Sequence, residues 1–439
     1  MILLFLACSP SAVLPHDTSD TGDTPVAEVE LSVEVDPVHA SHLWVGWRQE
    51  EAATAQVLYR VAGEEWRSTP SRSLDAGEQR QVLVGLPHGV EVELSLSLGQ
   101  WTSEALTVET GPLPEGAPEA SLVEGEPGAW DPGAAFVLLS LADNSFGSWV
   151  LVIDRQARVV WARRSPTQRV SLHPRVSLDG TELLLDDNSY WGSFDGGAGS
   201  SVARMKLDGR LVEEIPLPGL HHPFTDLPDG SILYTAMDRT SETLDRRWRD
   251  GTFTQIWDCR DLLSEVGESG FCGSNTLWYD PSTGHALNSI YSLETIVEVD
   301  LDSGQPVRWF GHTAGSWAFD PPETAFWWQH GGYLTEAGTL LTSSKGVDAA
   351  QETVVREYRL DEASQTLVEI WSFGEGEGVY GNVMGEAHRL ANGNTLHNYG
   401  SATRLREVTA AGELVWDVDW EASTMGRSTP IADLYALVD

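Results

Sequence analysis

LREVTAAGELVW, residues 405–416, alternates apolar and polar side chains, turns at Ala411-Gly412, and resumes in a strand ending on Trp416. A period of two on both sides of a glycine is the pattern of a β-hairpin. The same phrase stands upstream as VLVIDRQARVVW to Trp161, IVEVDLDSGQPVRW to Trp309 and LVEIW to Trp371. Leu211–Ile215 is a copy without Trp, and Gln255-Ile256-Trp257 is a divergent one. Between these phrases lies another, a turn glycine followed by an apolar strand. It recurs at Gly180, Gly230, Gly284, Gly338 and Gly393, with spacings of 50, 54, 54 and 55 residues. Four strands in a unit of that length predict a β-propeller blade, not a helical solenoid. Counting the Trp-type strand ends gives six blades between about 134 and 420. The first unit supplies only three strands, AFVLLS, SWVLVID and RVVWARR. The fourth is expected from the tail, Ile431–Val438, which would close the ring and hide an exposed edge.

Working outward, residues 27–112 also alternate with a period of two, as in Val29-Glu30-Leu31-Ser32-Val33-Glu34-Val35. Turn signals at Asp36-Pro37, Ala62-Gly63, Asp75-Ala76-Gly77 and Pro87-His88-Gly89 separate six or seven short strands. That pattern predicts a β-sandwich of fibronectin III type. Residues 113–133, rich in Pro, Gly and Glu, read as a linker, and 134–439 as the six-bladed propeller. The expected fold class is therefore all-β.

The 439 residues carry 27 Lys+Arg against 66 Asp+Glu, a formal charge of −39. This acidity argues against nucleic acid and against a polybasic membrane surface as partners. Lys206 and Lys345 are the only lysines, and no phosphate-cradling G-x-x-x-x-G-K-[ST] loop occurs. Met1–Ala7 is an apolar stub followed by Cys8, similar to the end of a bacterial lipoprotein signal. The stretch HDTSDTGDT, from His16, is a polar acidic tether. Residues 1–26 thus predict an exported protein, periplasmic or in the outer membrane. Its one membrane contact would be a lipid on Cys8. The alternative is a chance apolar start on a cytosolic protein. Cys259 and Cys272, 13 residues apart, suit one disulfide in an oxidising compartment; the alternative is a pair of buried free thiols.

The strand before each turn glycine comes first in its unit, so it is expected to line the channel. His173, His221, His222, His330 and His388 lie on such strands. Three readings are open. In the first the imidazoles satisfy buried backbone groups, in the second they gather a metal, and in the third they act as nucleophile and acid–base groups. No metal set is assigned, because no carboxylate clusters with them in sequence, and no cofactor is expected.

Four stretches together resemble the bacterial aryl-sulfate sulfotransferases: GLHHPFTDLPDGSILY from Gly219, FWWQHGGYLTEAGTLL from Phe326, GSNTLWYDPSTG from Gly273 and AHRLANGNTLHNYGSATRLREVTAAGELVW from Ala387. The resemblance implies an exported six-bladed propeller with an N-terminal sandwich. It implies that a channel His takes a sulfuryl group from a phenolic sulfate ester and passes it to another phenol, without a nucleotide donor. The Gln-His pair places that nucleophile on His330. The paired histidines, His221 and His222, would hold the sulfuryl oxygens or move a proton, with His388 as a further donor. The chain departs from the pattern where the family has His-x-Asn, keeping only Asn275 in Gly273-Ser274-Asn275. It departs again where the family has an Arg, with Tyr291 there instead. Asn275 and Tyr291 remain as expected substrate-binding residues. Arg356, Arg404 and Arg427 are candidate replacements for the missing cation. The competing reading is a catalytically inactive propeller that binds a ligand in the cell envelope. Trp149, Trp191, Trp278, Trp317, Trp327 and Trp328 would suit an aromatic mouth, or pack blade against blade.

Overall fold

The computed structural model describes residues 29–143, 147–237, 241–345 and 351–438. Cys8 and the acidic tether lie outside the described residues. The chain is nearly all β. The longest helix among the described residues, Cys259–Val266, is far too short to cross a membrane.

Two sheets form the N-terminal unit. Leu31–Val35, Leu43–Gln49 and Gly77–Leu83 pair antiparallel in one. Ala53–Val61 and Glu91–Leu98 pair at the centre of the other. Along Leu43–Gln49 buried positions alternate with half-buried or exposed ones, as a strand with one face on a core requires. Leu43, Val45, Val57, Leu94 and Leu96 are fully buried between the two sheets.

Six further sheets follow, each with four antiparallel strands. The outermost of those four strands is, in order, Val159–Arg164, Leu211–Pro216, Phe253–Asp258, Gln305–Gly311, Thr366–Phe373 and Leu414–Trp420. All six Trp-type phrases therefore form the same structural position. The opposite, inner edges are Thr424–Ile431, Arg175–Val176, Leu220–Asp226, Ser274–Asp280, Trp327–Leu334 and Glu386–Arg389. Neighbouring inner edges touch one another.

Two expectations shift by a few residues. The strand completing the first sheet is Thr424–Ile431, paired with Phe136–Ala142, and not Ile431–Val438. The apolar residues of that last stretch are engaged elsewhere. Leu434, Tyr435, Leu437 and Val438 pack with Val82, Val84, Leu138 and Trp161, joining the N-terminal unit to the first sheet. The expected linker also contains a strand, Ala120–Gly125, which adds a fifth strand outside Leu414–Trp420. Its side chains are mostly exposed, so its composition resembles a linker while its backbone is paired. First and sixth sheets are further joined by a buried ion pair, Arg155 to Glu407 at 2.6 Å, with Trp416 Nε1 donating to the Arg155 carbonyl at 2.8 Å.

Cys259 and Cys272 form a disulfide, both sulfurs buried in the core between the third and fourth sheets.

Candidate active site

Successive side chains of a regular strand point to opposite faces, so adjacent residues cannot share a pocket. The inner strands evade this by losing register at their functional residues. Two extra residues are accommodated between Leu220 and Phe224, where His221 and His222 stand. The rings of His221 and His222 lie 4.0 Å apart, with their Nδ1 atoms at 2.9 Å. Register also breaks between Ser274 and Thr276, at Asn275, and on both sides of His330. At His330 the break uses Trp328 and Gly331, both with positive φ (46° and 80°). A Cβ on Gly331 would sit 3.0 Å from that of Glu386, so the close approach there suits glycine.

His221, His222, His330, Asn275 and Tyr291 line one cavity of about 570 Å³, mostly apolar, where the inner edges meet. Four of these come from three separate sheets and Tyr291 from the turn Tyr291–Leu293. The Tyr291 ring faces His330 with centroids 4.8 Å apart. Of the candidate tryptophans only Trp191 lines this cavity, its ring 5.1 Å from that of His222. Trp149 and Trp317 are buried in the cores of their sheets.

His330 is buried, and burial pushes its pKa down to about 3, helped by the positive charges of Arg427 and Lys345. It is a neutral imidazole at ordinary pH. Its Nδ1 lies 3.3 Å from the Trp328 carbonyl. With the proton on Nδ1, that contact leaves Nε2 with a free lone pair. The neighbouring Gln329 side chain does not take part in that orientation; it turns away and donates to Ser289 Oγ at 3.1 Å. Asn275 is likewise engaged: its Nδ2 donates to the Gln329 carbonyl at 2.7 Å, so it holds the backbone beside His330. His222 is driven well below the ordinary imidazole range by burial and by His221 beside it.

His388 is not brought to this cavity. It lines a second one of about 260 Å³ with His173, Trp278 and Tyr333, its Nε2 2.7 Å from the Ser428 carbonyl. Arg427 also lines this second cavity. Its guanidinium donates to the carbonyls of Gly385 and Asn275 and to Thr276 Oγ1, and lies 3.7 Å from Glu386. Of the three replacement arginines it alone reaches the inner edges; Arg356 pairs with Glu369 and Glu375, and Arg404 with Asp417. The expected single ring of imidazoles is thus two groups, facing two cavities.

Two carboxylates escaped the sequence reading. Glu242 contacts His221 Nδ1 with one oxygen and accepts the Ser274 backbone N–H with the other. Burial would raise the pKa of Glu386, but His388 and Arg427 hold it down to about 2. Among 66 acidic residues nothing in sequence marks these two. Their burial does, with Glu242 only 3% exposed.

These features define an all-β protein whose inner strands gather histidines around an apolar cavity. The chain belongs to the arylsulfotransferase (ASST) family, whose model matches residues 131–428. Aryl sulfotransfer, on aryl sulfates and phenols, is the chemistry that this family implies. No curated protein matches the chain. Among solved structures it is similar to a protein of unknown function from Bacteroides caccae, at 14% identity over 66% of this chain and 97% of that one, TM-score 0.44. A catalytically inactive virginiamycin B lyase from Staphylococcus aureus matches at 12% identity over 71% and 100%, TM-score 0.40. A putative 6-phosphogluconolactonase from Bacteroides fragilis matches at 11% over 87% and 98%, TM-score 0.42. With TM-scores this low, none of these likenesses carries an argument about function.

Proposed function

We propose that the protein is a nucleotide-independent aryl-sulfate sulfotransferase working through a sulfated His330. In this reading the six four-stranded sheets are the blades of a six-bladed propeller, and the N-terminal pair is a fibronectin III-like sandwich. The single observation that carries it is the state of His330: a neutral imidazole facing an apolar cavity, under two positive charges in a chain of net charge −39.

Nε2 of His330 attacks the sulfur of the aryl ester, forming an S–N bond as the S–O bond to the ring breaks and phenolate leaves. The acceptor phenol then attacks the same sulfur, the S–N bond breaks, and the phenol proton passes to His222. Tyr291 offers its hydroxyl to the sulfuryl oxygens. Arg427 acts on the developing charge through its field, because both amino groups of its guanidinium are bound to protein acceptors and only its buried Nε–H is unpaired. A cation clamped directly on the oxygens is worth on the order of 10²–10³ in rate, so turnover here is slow.

The Cys259–Cys272 disulfide supports an oxidising compartment, in keeping with export and with a lipid anchor on Cys8. The engagement of every Arg427 amino group favours a second reading, an envelope protein that binds aromatic anions without turning them over. The test is nitrophenol release from 4-nitrophenyl sulfate with a phenol acceptor. Release that depends on the acceptor and is lost in His330→Ala supports the transferase. Binding of the ester without release supports the second reading.

A further inference from the structure

His221 Nδ1 faces two partners at once. Glu242 Oε1 is against it on one side, and His222 Nδ1 lies 2.9 Å away on the other. A proton on His221 Nδ1 answers the carboxylate and must then be shared with the His222 nitrogen. A proton on His222 Nδ1 instead needs the His221 lone pair, which then faces the carboxylate oxygen with nothing between them. One proton cannot serve both contacts well. A cation placed among the three atoms answers all three lone pairs together.

The three ligand atoms lie within 4.8 Å of one another, the one such group among the described residues. Two of the three residues are also held from behind. Glu242 keeps its second oxygen on the Ser274 N–H. The His221 carbonyl accepts Asn188 Nδ2 at 3.0 Å and Trp191 Nε1 at 2.9 Å, and its ring packs against Tyr190 at 4.5 Å. Outer partners of this kind orient metal ligands and support their affinity. A separate observation points the same way. His173, only 5% exposed, has its Nδ1 3.9 Å from Asp186 Oδ2 and no hydrogen-bond partner on Nε2, and its ring stands edge-on to His222 at 5.9 Å. It is a buried imidazole whose lone pair is unclaimed by protein, beside the cluster.

We propose that His221, His222 and Glu242 form a binding site for a divalent first-row cation of the zinc class, open toward the cavity that holds His330. Two imidazole nitrogens and one carboxylate suit zinc and its first-row neighbours, whereas calcium and magnesium prefer all-oxygen sets. Three protein ligands leave a fourth position, and the cavity lined by both histidines is where water or an anionic oxygen would fill it. Ion binding stands on the cluster alone and competes with the proton-accepting role of His222 in the proposed transfer, so it is tested without a sulfate ester.

The test uses tag-free full-length protein, stripped with a chelator and titrated with Co²⁺ and, in competition, with Zn²⁺, with no sulfate ester present. The visible d–d band of four-coordinate cobalt should rise to one ion per chain. Loss of an outer partner alone costs about 10–100-fold in affinity, so Glu242→Gln and His222→Ala should each weaken binding by at least about 100-fold. His285→Ala, at a histidine paired with Glu298 and absent from the cavity lining, should bind like wild type. His222 is less buried than Glu242, so its variant carries the test if Glu242→Gln does not fold. Wild-type protein that takes up neither ion, or variants that bind as tightly as wild type, would overturn the proposal.

Discussion

Acid should destabilise this protein well above the carboxylate range. His42, His330 and His397 are buried, and burial is the main cause of a pKa near about 3 in each. His42 has no partner on either nitrogen, and His397 holds only Ser343 Oγ, at 2.9 Å. In the unfolded chain each titrates near ~6.5. Between those two values the unfolded chain binds more protons than the folded one, so stability falls as pH falls through 6.5 toward 3. From pH 7 to pH 5 each imidazole costs about 2 kcal/mol, so the six-sheet unit loses about 4 from His330 and His397 and the N-terminal unit about 2 from His42. Against a net stability of about 5–15 kcal/mol this is a large fraction. His39, His88, His173 and His222 are also shifted downward, chiefly by burial, and add to the slope. Glu386 does not offset it. Its carboxyl is held at about 2, so its contribution is lost only below its unfolded value near ~4.3, outside the window. Guanidinium unfolding at pH 7, 6 and 5 measures the slope, and His42→Leu should remove about 2 kcal/mol from the fall in the N-terminal unit. A stability flat from pH 7 to 5, or an unchanged slope in His42→Leu, would refute the reasoning.

Replacing both Cys259 and Cys272 with Ala should cost about 3 kcal/mol in guanidinium unfolding, because the bond closes a short loop. Wild type in reductant should shift alike, and no shift in either would contradict this. Arg427→Met leaves Glu386 without its buried cation and should cost about 3–5 kcal/mol in thermal or denaturant unfolding. The same change should raise the His330 pKa, read by imidazole NMR titration; a value unmoved would show that Arg427 exerts no field there. Tyr291→Phe keeps the ring on His330 but removes the hydroxyl. It should lower kcat by up to about 10² with little change in KM, whereas a rise in KM alone would assign Tyr291 to binding.

The six repeat units were legible because the same strand phrase recurs at each outer edge, with a Trp in five of the six, from Trp161 to Trp416. The closing strand was not. Thr424–Ile431 mixes polar and apolar residues because it is an inner edge between the two cavities, with Thr424 lining one and Arg427 and Thr429 the other, whereas Leu434–Val438 carries more apolar surface and packs it on the N-terminal unit. His330 and the His221-His222 pair were legible from the strands they occupy. That His388 faces the other cavity was not, since register breaks at Leu220–Phe224, Asn275 and His330 destroy the period that tells faces apart. Glu242 and Glu386 were hidden, and Arg427 could not be told from Arg356 and Arg404, for a different reason. They reach the centre from residues 427, 242 and 386, and their types are common in a chain of 66 acids and mostly Arg cations.

Brief exposure to 4-nitrophenyl sulfate without acceptor, alkaline quench and peptide mass spectrometry tests the central claim most directly. The expected result is one added sulfuryl mass on the peptide carrying His330, absent from His330→Ala and discharged when a phenol is supplied. An unlabelled wild-type peptide, from protein that still binds the ester in its cavity, would contradict the account and leave a protein that binds without catalysing.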